Sequence, residues 1–335
     1  MRKPVFGARG RGAAAAILLA GSLMLGGSPA LAQDVDLSTL TGNIESDGSS
    51  TVGPLTQAAA EDFVGSAPNV QISVDISGTG GGFKRFCDGE TDVQNASRAI
   101  KDEEAANCAA KGVDWYEFEV AYDGITIVTN KENTWATCLT VDQLKQLWQK
   151  ENPAMTWADL NPEWPADTVS LYGPGTDSGT FDFFVETILG ETDIREDFQP
   201  SEDDNVLVSG VAGDVNALGY FGLAYYEANQ DTLNAVAVDN NTGECVTPSQ
   251  DSVRDGSYAP LSRPLFVYVS AESLKRPEVQ EFVRFYLENA AELAPEVGYV
   301  ASPDEVYAAD MKAFEDDIAG KGTPDSQQVM ATPAA

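Results

Sequence analysis

Apolar residues recur along the chain with two different periods, and segments of one period alternate with segments of the other. Runs of β-branched and apolar residues are typical of buried strands, whereas apolar residues at helical spacing indicate amphipathic helices. Because strands that alternate with helices usually run parallel, the pattern predicts an α/β fold with largely parallel sheets. The predicted strands are residues 70–77, 120–129, 169–172, 233–238 and 265–270, and the predicted helices are residues 55–64, 141–149, 181–189 and 279–287.

The order of these elements indicates two lobes. The chain is expected to enter the second lobe within strand 120–129 and to return at residues 260–270. The first lobe is then discontinuous, two hinge crossings connect the lobes, and a ligand cleft lies between them. We therefore expect lobe one to consist of residues 38–124 plus 260–322 and lobe two of residues 125–259. Residues 323–335 are expected to form a flexible tail.

The first residues carry a targeting pattern. Four basic residues precede an apolar stretch at residues 13–25, and Ala30-x-Ala32 follows it. This arrangement predicts a secretory signal peptide over residues 1–32 that is cleaved after Ala32. The alternative is an uncleaved membrane anchor, which the shortness of the apolar stretch disfavours.

The composition narrows the classes of partner and of chemistry. The chain has 53 Asp and Glu residues against 20 Lys and Arg, with a formal net charge of −33. Such a charge argues against nucleic acids and anionic membranes as partners. The sequence contains no histidine. Catalysis by Ser-His-Asp or Cys-His is therefore excluded, and the commonest metal ligand is missing.

The chain has four cysteines. An even number in an exported protein indicates disulfides, and four cysteines allow three pairings. Cys87 and Cys108 lie close in sequence around a polar loop, so that we expect the pairs Cys87–Cys108 and Cys138–Cys245. Reduced, buried thiols are the alternative.

Three turns rich in Ser, Thr and Gly each lead directly into an apolar segment of helical period. Hydroxyls and free backbone N–H groups at the start of a helix are the donors that a tetrahedral oxyanion needs. The alternative is that these hydroxyls are ordinary helix caps. The candidate donors are Ser50 and Thr51 in the first turn, Thr79 in the second, and Ser178, Gly179 and Thr180 in the third.

A fourth candidate segment is Asn95-Ala96-Ser97-Arg98. The guanidinium of Arg98 offers the paired donors that suit one edge of a phosphate, with Ser97 beside it. In so acidic a protein, the alternative for Arg98 is a surface salt bridge. Local donors of this kind are needed because they must hold an anion against the negative charge of the whole chain.

Together these motifs resemble the periplasmic phosphate-binding protein of bacterial phosphate ABC transporters, in order over essentially the whole mature chain. The resemblance implies a type II periplasmic binding protein fold whose two lobes close over one inorganic phosphate. It implies that the phosphate is delivered to an inner-membrane permease with its ATPase. It implies no catalysis, no cofactor and no metal. We also expect a monomer. The matching segments are GSSTVGP at 48–54, SGTGGGF at 77–83, NASRAI at 95–100, TDSGTF at 176–181, GYFGLAYY at 219–226 and LSRPLF at 261–266.

Two positions depart from the best-studied branch of that family. Arg98 stands where the branch has Asp, and Pro174 stands where it has Arg. The cation therefore lies in the other lobe in this chain. Which group accepts the phosphate proton is left open. A buried carboxylate would accept from the P–OH of phosphate and repel sulfate, and our candidate is Asp177. The alternative for Asp177 is to cap the following helix. The family's phosphate contacts correspond to Ser50, Thr51, Thr79, Ser178, Gly179 and Thr180.

Two other functions fit the same turns. A secreted phosphatase could use Ser178 as its nucleophile, but without histidine it needs a metal or a lysine as base. Alternatively, the ligand could be another tetrahedral oxyanion such as sulfate, molybdate or arsenate. Hydrolysis of a phosphate ester tests the first alternative, and a binding panel of oxyanions tests the second.

Overall fold

The structure is a computed structural model that describes residues 35–176, 178–190 and 192–327. The predicted signal peptide, Asp177 and residues 328–335 of the predicted tail lie outside the described residues. The strands are β1 (Gly42–Gly48), β2 (Val70–Val74), β3 (Val93–Ala96), β4 (Trp115–Asn130), β5 (Cys138–Thr140), β6 (Ser170–Gly173), β7 (Gln199–Pro200), β8 (Ala217–Gly222), β9 (Leu233–Ala235), β10 (Ala237–Asp239) and β11 (Ser262–Ser270).

The helices lie between these strands, which confirms the predicted α/β class. Their bounds are α1 (Gly53–Ser66), α2 (Thr79–Cys87), α3 (Asp102–Ala110), α4 (Val141–Trp148), α5 (Trp157–Leu160), α6 (Gly179–Phe184), α7 (Asp204–Gly213), α8 (Leu223–Ala228), α9 (Gln250–Arg254), α10 (Pro277–Glu296) and α11 (Asp304–Ile318).

One long strand connects the two ends of the main sheet. The strand order is β2-β1-β3-β11-β4-β8-β6-β7, with β9 also paired to β4, while β5 and β10 form a separate pair. The first part of β4 pairs with β11, from Trp115 to Gly124, and its last part pairs with β8, from Ile125 to Thr129. Residues that reach into the cleft from β4 and β11 therefore lie where the two parts of the sheet meet.

The prediction of largely parallel sheets is wrong at this centre. The outer pairs β1–β2, β1–β3, β6–β7 and β6–β8 are parallel, but β4 is antiparallel to β11, β8 and β9, and β11 is antiparallel to β3. The reason is that β4 and β11 carry the chain between the two parts of the sheet in opposite directions. Hydrophobic periodicity reports which face of a strand is buried, and it carries no information on the direction of the neighbouring strand.

Two sets of buried residues form the hydrophobic core. The first core comes from segments 40–121 and 265–314, and the second core from segment 125–261 together with Val300. The boundaries of the two predicted lobes stay a prediction.

Several elements differ in extent from their predictions. Segment 181–189 divides into α6 and a π-helical turn, Val185–Leu189. Segment 233–238 divides into β9, which pairs with β4, and β10, which pairs with β5. The helix predicted at 279–287 extends over Pro277–Glu296, because Ala290, Leu293 and Ala294 continue its buried face.

Both predicted disulfides are present. Cys87 on α2 is bonded to Cys108 on α3, and Cys138 on β5 is bonded to Cys245 in the loop after β10. The first bond fixes two short helices beside the first core, and the second closes a segment of 107 residues.

Candidate functional site

The first turn, between β1 and α1, presents two hydroxyls that are not used to cap its helix. The N-cap of α1 is Val52, without a side-chain bond, and Ser49 Oγ accepts hydrogen bonds inside the turn, from the backbone N of Thr51 at 3.1 Å and of Val52 at 3.4 Å. Ser50 Oγ donates to Asp182 Oδ2 at 3.1 Å, and Thr51 is among the residues that line the neighbouring cavity. The capping alternative therefore does not apply to Ser50 or Thr51.

The second turn lies beside the end of β3. Gly78 adopts a φ of +76°, a backbone conformation that glycine adopts without strain, and α2 begins at Thr79. Thr79 Oγ1 accepts a hydrogen bond from the backbone N of Ser97 at 3.2 Å and lies 3.1 Å from Ser97 Oγ. The second turn and the segment containing Ser97 therefore form one continuous polar edge of the cleft.

Arg98 forms the salt bridge that was the alternative reading of this residue, while its role as a phosphate donor stays a prediction. Its Nη1 and Nη2 donate to the two carboxylate oxygens of Glu104, each at 2.8 Å, and the same guanidinium lines the cleft. These hydrogen bonds raise the pKa of Arg98, against the opposing effect of burial. Burial raises the pKa of Glu104, but the bonds from Arg98 and from the backbone of Lys101 outweigh it, so that the net pKa is lowered. Arg98 is thus a partly neutralised cation in the cleft wall.

The third turn approaches the first turn closely. Ser178 Oγ accepts a hydrogen bond from the backbone N of Thr180 at 3.2 Å, as the N-cap of α6. A Cβ atom added to Gly179 would lie 2.5 Å from Thr51 Oγ1 and 2.7 Å from Thr51 Cα. Only glycine fits at this position, and the two turns are in contact through it.

This contact lies between two neighbouring cavities. The larger, of about 650 Å³, is lined by Ser50, Thr51, Thr79, Ser97 and Arg98. The smaller, of about 260 Å³, is lined by Ser50, Ser178, Gly179 and Thr180. The structure thus brings the described candidate residues to two adjoining cavities that share Ser50; their role as ligand contacts stays a prediction.

Arg263 and Asp123 are two further site residues that the sequence reasoning missed. Arg263 on β11 lies opposite Asp123 on β4 in the strand register, and its Nε and Nη2 donate to Asp123 Oδ2 at 3.3 and 3.2 Å. Arg263 Nη2 also donates to Thr51 Oγ1 at 2.8 Å. Asp123 is 1% exposed, and burial raises the pKa of its carboxyl, although the neighbouring guanidinium opposes this effect.

Signals for both residues were present in the sequence. Asp123 is a lone acidic residue inside the apolar run that predicts strand 120–129, and Arg263 belongs to the LSRPLF segment. A charged residue in a buried strand requires a partner of opposite charge. The sequence does not show which partner it has, because that depends on the register of β4 against β11.

Carboxylates also line the larger cavity. Asp182 and Glu186 from the α6 region lie there together with Lys101, Arg98 and Arg263. Lys101, Arg98 and Arg263 therefore have acidic neighbours in the cavity, in keeping with the excess of Asp and Glu in the chain. Among the described residues, no group of three or more Cys, Asp or Glu is arranged to hold a metal ion.

A family model described as the PBP superfamily domain matches residues 35–290. The chain belongs to the PBP superfamily. Among curated relatives, Protein SphX of Synechococcus elongatus is 44% identical over 279 residues, which cover 83% of this chain and 82% of the relative. Phosphate-binding protein PstS of Staphylococcus saprophyticus is 41% identical over 281 residues, which cover 84% and 86%.

Solved structures of this superfamily have the same architecture. A possible phosphate binding protein from Planctomyces limnophilus is 45% identical, with a TM-score of 0.80 over 83% of this chain and 99% of the other. An ABC-type phosphate transport receptor from Vibrio cholerae is 21% identical, with a TM-score of 0.60 over 78% and 100%, which shows the common fold. These matches confirm the type II periplasmic binding protein fold and the resemblance that the motifs predicted.

Proposed function

We propose that this PBP superfamily protein binds inorganic phosphate in the cleft and delivers it to an ABC permease. The Staphylococcus saprophyticus relative and the Planctomyces limnophilus structure carry phosphate in their names, whereas SphX does not. The observation that supports the proposal most directly is the meeting of the first and third turns at Thr51 and Gly179, with Arg263 bonded to the same threonine. Hydroxyls, helix-start amides and one guanidinium are sufficient to hold a tetrahedral oxyanion.

The proposed contacts come from both predicted lobes. Binding would therefore favour the closed form, because phosphate touches both sides only when the cleft is shut. The proposed set keeps the residues predicted from the sequence and adds two from the structure: Ser50, Thr51, Thr79, Ser97, Arg98, Asp177, Ser178, Gly179 and Thr180, with Arg263 and Asp123.

Within this site we propose Asp123 as a second candidate, beside Asp177, for the group that accepts the phosphate proton. Asp123 is buried and lines the smaller cavity with Ser178, Gly179 and Thr180. Phosphate near neutral pH keeps a P–OH that a carboxylate can accept from, whereas sulfate has none. Asp123→Asn should therefore reduce the preference for phosphate over sulfate.

The deciding experiment is isothermal titration of the mature protein, freed of carried-over ligand, with phosphate, sulfate and arsenate. We expect one phosphate per chain and sulfate binding weaker by about 100-fold or more, a difference of about 2.7 kcal/mol. Tighter binding of sulfate or arsenate than of phosphate would mean that the ligand is that oxyanion and not phosphate. No heat with any oxyanion would overturn the proposal.

We propose binding without catalysis, in contrast to a phosphatase that uses Ser178. Ser178 Oγ accepts a hydrogen bond from the backbone N of Thr180 and so caps α6. This is a structural role for the hydroxyl. Nitrophenyl phosphate should remain intact with the protein, with and without divalent metal. Hydrolysis that is lost in Ser178→Ala would establish the enzyme instead.

Delivery to a permease places the mature protein outside the cytoplasm, and we propose the periplasm. Within the described ranges, no helix is long and apolar enough to cross a membrane. Expression of the full chain in a bacterium that lacks its own phosphate-binding protein should restore phosphate uptake. Phosphate binding without restored uptake would favour a scavenging role.

The expected oligomeric state is a monomer, and gel filtration of the mature protein tests it.

A further inference from the structure

Asp47, the penultimate residue of β1, is a buried carboxylate behind the cleft. Its side chain is fully shielded from solvent, yet it is not among the residues that line either cavity. Asp47 Oδ1 accepts a hydrogen bond from the backbone N of Gly48 at 2.7 Å. Asp47 Oδ2 accepts from Ser77 Oγ at 2.7 Å and from Arg85 Nη1 at 2.8 Å. A buried carboxylate with this many donors is tightly held in place.

The three donors come from the elements that carry two of the anion-binding turns. Gly48 precedes the first turn directly, and Ser77 is the first residue of the second turn. Arg85 lies on α2, the helix that begins at Thr79. One carboxylate group therefore joins the start of the first turn, the start of the second turn and the helix after it.

Backbone contacts around Gly48 leave little freedom for adjustment. The carbonyl oxygen of Gly48 accepts hydrogen bonds from the backbone N of Ser77 at 3.2 Å and of Gly78 at 2.9 Å. Gly48 has a φ of +137°, and a Cβ atom there would lie 2.2 Å from the Asn95 carbonyl oxygen. A change in the bonds made by Asp47 would thus be passed directly to the two turns.

We propose that Asp47 is a positioning residue for the anion site, which sets the spacing between the first and second turns. It acts through Gly48 and Ser77 and does not touch the ligand. The inference rests on the proposed function, because its consequence is read as phosphate affinity. In Asp47→Asn one acceptor oxygen becomes an NH2 group, which faces either the backbone N–H of Gly48 or both the Ser77 hydroxyl and the Arg85 guanidinium, so that at least one donor loses its acceptor.

The matched control is Asp75→Asn. Asp75 is also an aspartate bonded to Arg85 Nη1, at 3.3 Å, but its side chain is 60% exposed and joins neither turn through a side-chain bond to Gly48 or Ser77. We expect Asp47→Asn to weaken phosphate binding by about tenfold or more in isothermal titration, and Asp75→Asn by about twofold or less. All measurements are made at a temperature where circular dichroism shows each variant fully folded.

A second variant separates positioning from a general loss of stability. Ser77→Ala removes only the bond that reaches the second turn and leaves the bonds from Gly48 and Arg85. It should weaken phosphate binding by a smaller factor, and the double variant should bind no more weakly than Asp47→Asn alone. If Asp47 had only a general structural role, both variants would lower the melting temperature. Their effects on phosphate affinity would then not be coupled in the double variant. Should Asp47→Asn not fold, Ser77→Ala alone must lower affinity for the proposal to stand.

The outcomes distinguish the two proposals. If the wild-type protein binds no phosphate, the proposed function fails first. If the wild-type protein binds phosphate while Asp47→Asn and Ser77→Ala both keep its affinity, the positioning role of Asp47 is overturned and the proposed function stands. Losses that add in the double variant would also overturn it, since they would show that Ser77 acts independently of Asp47.

Discussion

The guanidinium of Arg263 stacks on the ring of Phe183, with Arg263 Cζ 3.7 Å from the ring centroid. Arg263 belongs to β11, and Phe183 belongs to α6 in the second core. The guanidinium also forms an ion pair with Asp123 and a hydrogen bond to Thr51. Together with the stacking, these interactions fix its plane at the contact between the first and third turns.

Replacement of this arginine by lysine keeps the charge but removes the planar fork. Arg263→Lys should weaken phosphate binding roughly 10- to 100-fold, the effect of losing a charge-assisted hydrogen bond worth about 1.5–3 kcal/mol. Isothermal titration measures the change. The matched control is Arg284→Lys, because Arg284 also lies over a phenylalanine, with Cζ 5.1 Å from the Phe314 ring centroid. Equal affinity in both variants would contradict the role of Arg263.

The approach of the third turn to the first depends on Gly179. Gly179→Ala should weaken phosphate binding about tenfold or more, because the added Cβ would overlap Thr51 and hold the turns apart. Solution scattering should show a larger radius for the variant in saturating phosphate. Gly213→Ala is the control, since a Cβ there meets no atom within 4 Å. Unchanged affinity in Gly179→Ala would mean that phosphate binds without this contact.

The two disulfides should contribute unequally to stability. The Cys138–Cys245 bond spans 107 residues and the Cys87–Cys108 bond spans 21. In the chain-entropy model, closing loops of these lengths is worth about 4.8 and about 3.3 kcal/mol. Urea unfolding of the Cys138→Ser/Cys245→Ser and Cys87→Ser/Cys108→Ser double variants should therefore show the larger loss for the first. The reverse order would indicate that local packing around α2 and α3 dominates.

Stability should also depend on the protonation of Asp310. Asp310 on α11 accepts a hydrogen bond from the backbone N of Glu119 at 2.8 Å. Burial raises the pKa of its carboxyl to about 7, despite this bond, and the nearby Glu119 and Glu117 add to the increase. A folded-state pKa above the ordinary value of 3.8 gives stability that is complete below about pH 4 and is lost progressively as pH rises from there through about 7.

The wild-type protein should therefore unfold at a lower urea concentration at pH 8 than at pH 6. Asp310→Asn should reduce this difference, because the amide oxygen still accepts from Glu119 and no longer titrates. Asp316→Asn is the control on the same helix, since its pKa is lowered by the hydrogen bond from Lys312. If Asp310→Asn kept the full difference between the two pH values, another group would be responsible.

The sequence by itself determined the α/β class, several of the strands and helices, and the disulfide pairs. Hydrophobic period identifies buried faces, Ser, Thr and Gly before an apolar helical segment identify helix starts, and closeness in sequence selected the Cys87–Cys108 pair. Apart from the Cys138–Cys245 pair, which follows once Cys87 is paired with Cys108, these are local properties set by residues within about 20 positions of one another.

Only the tertiary structure decided which side chains meet. Arg263 and Asp123 are 140 residues apart and face each other solely because β11 runs antiparallel to β4 in one register. Gly179 contacts Thr51 for the same kind of reason, since the chain must first fold into both parts of the sheet. Strand direction and register follow from the summed packing of distant segments, so that no short stretch of sequence contains them.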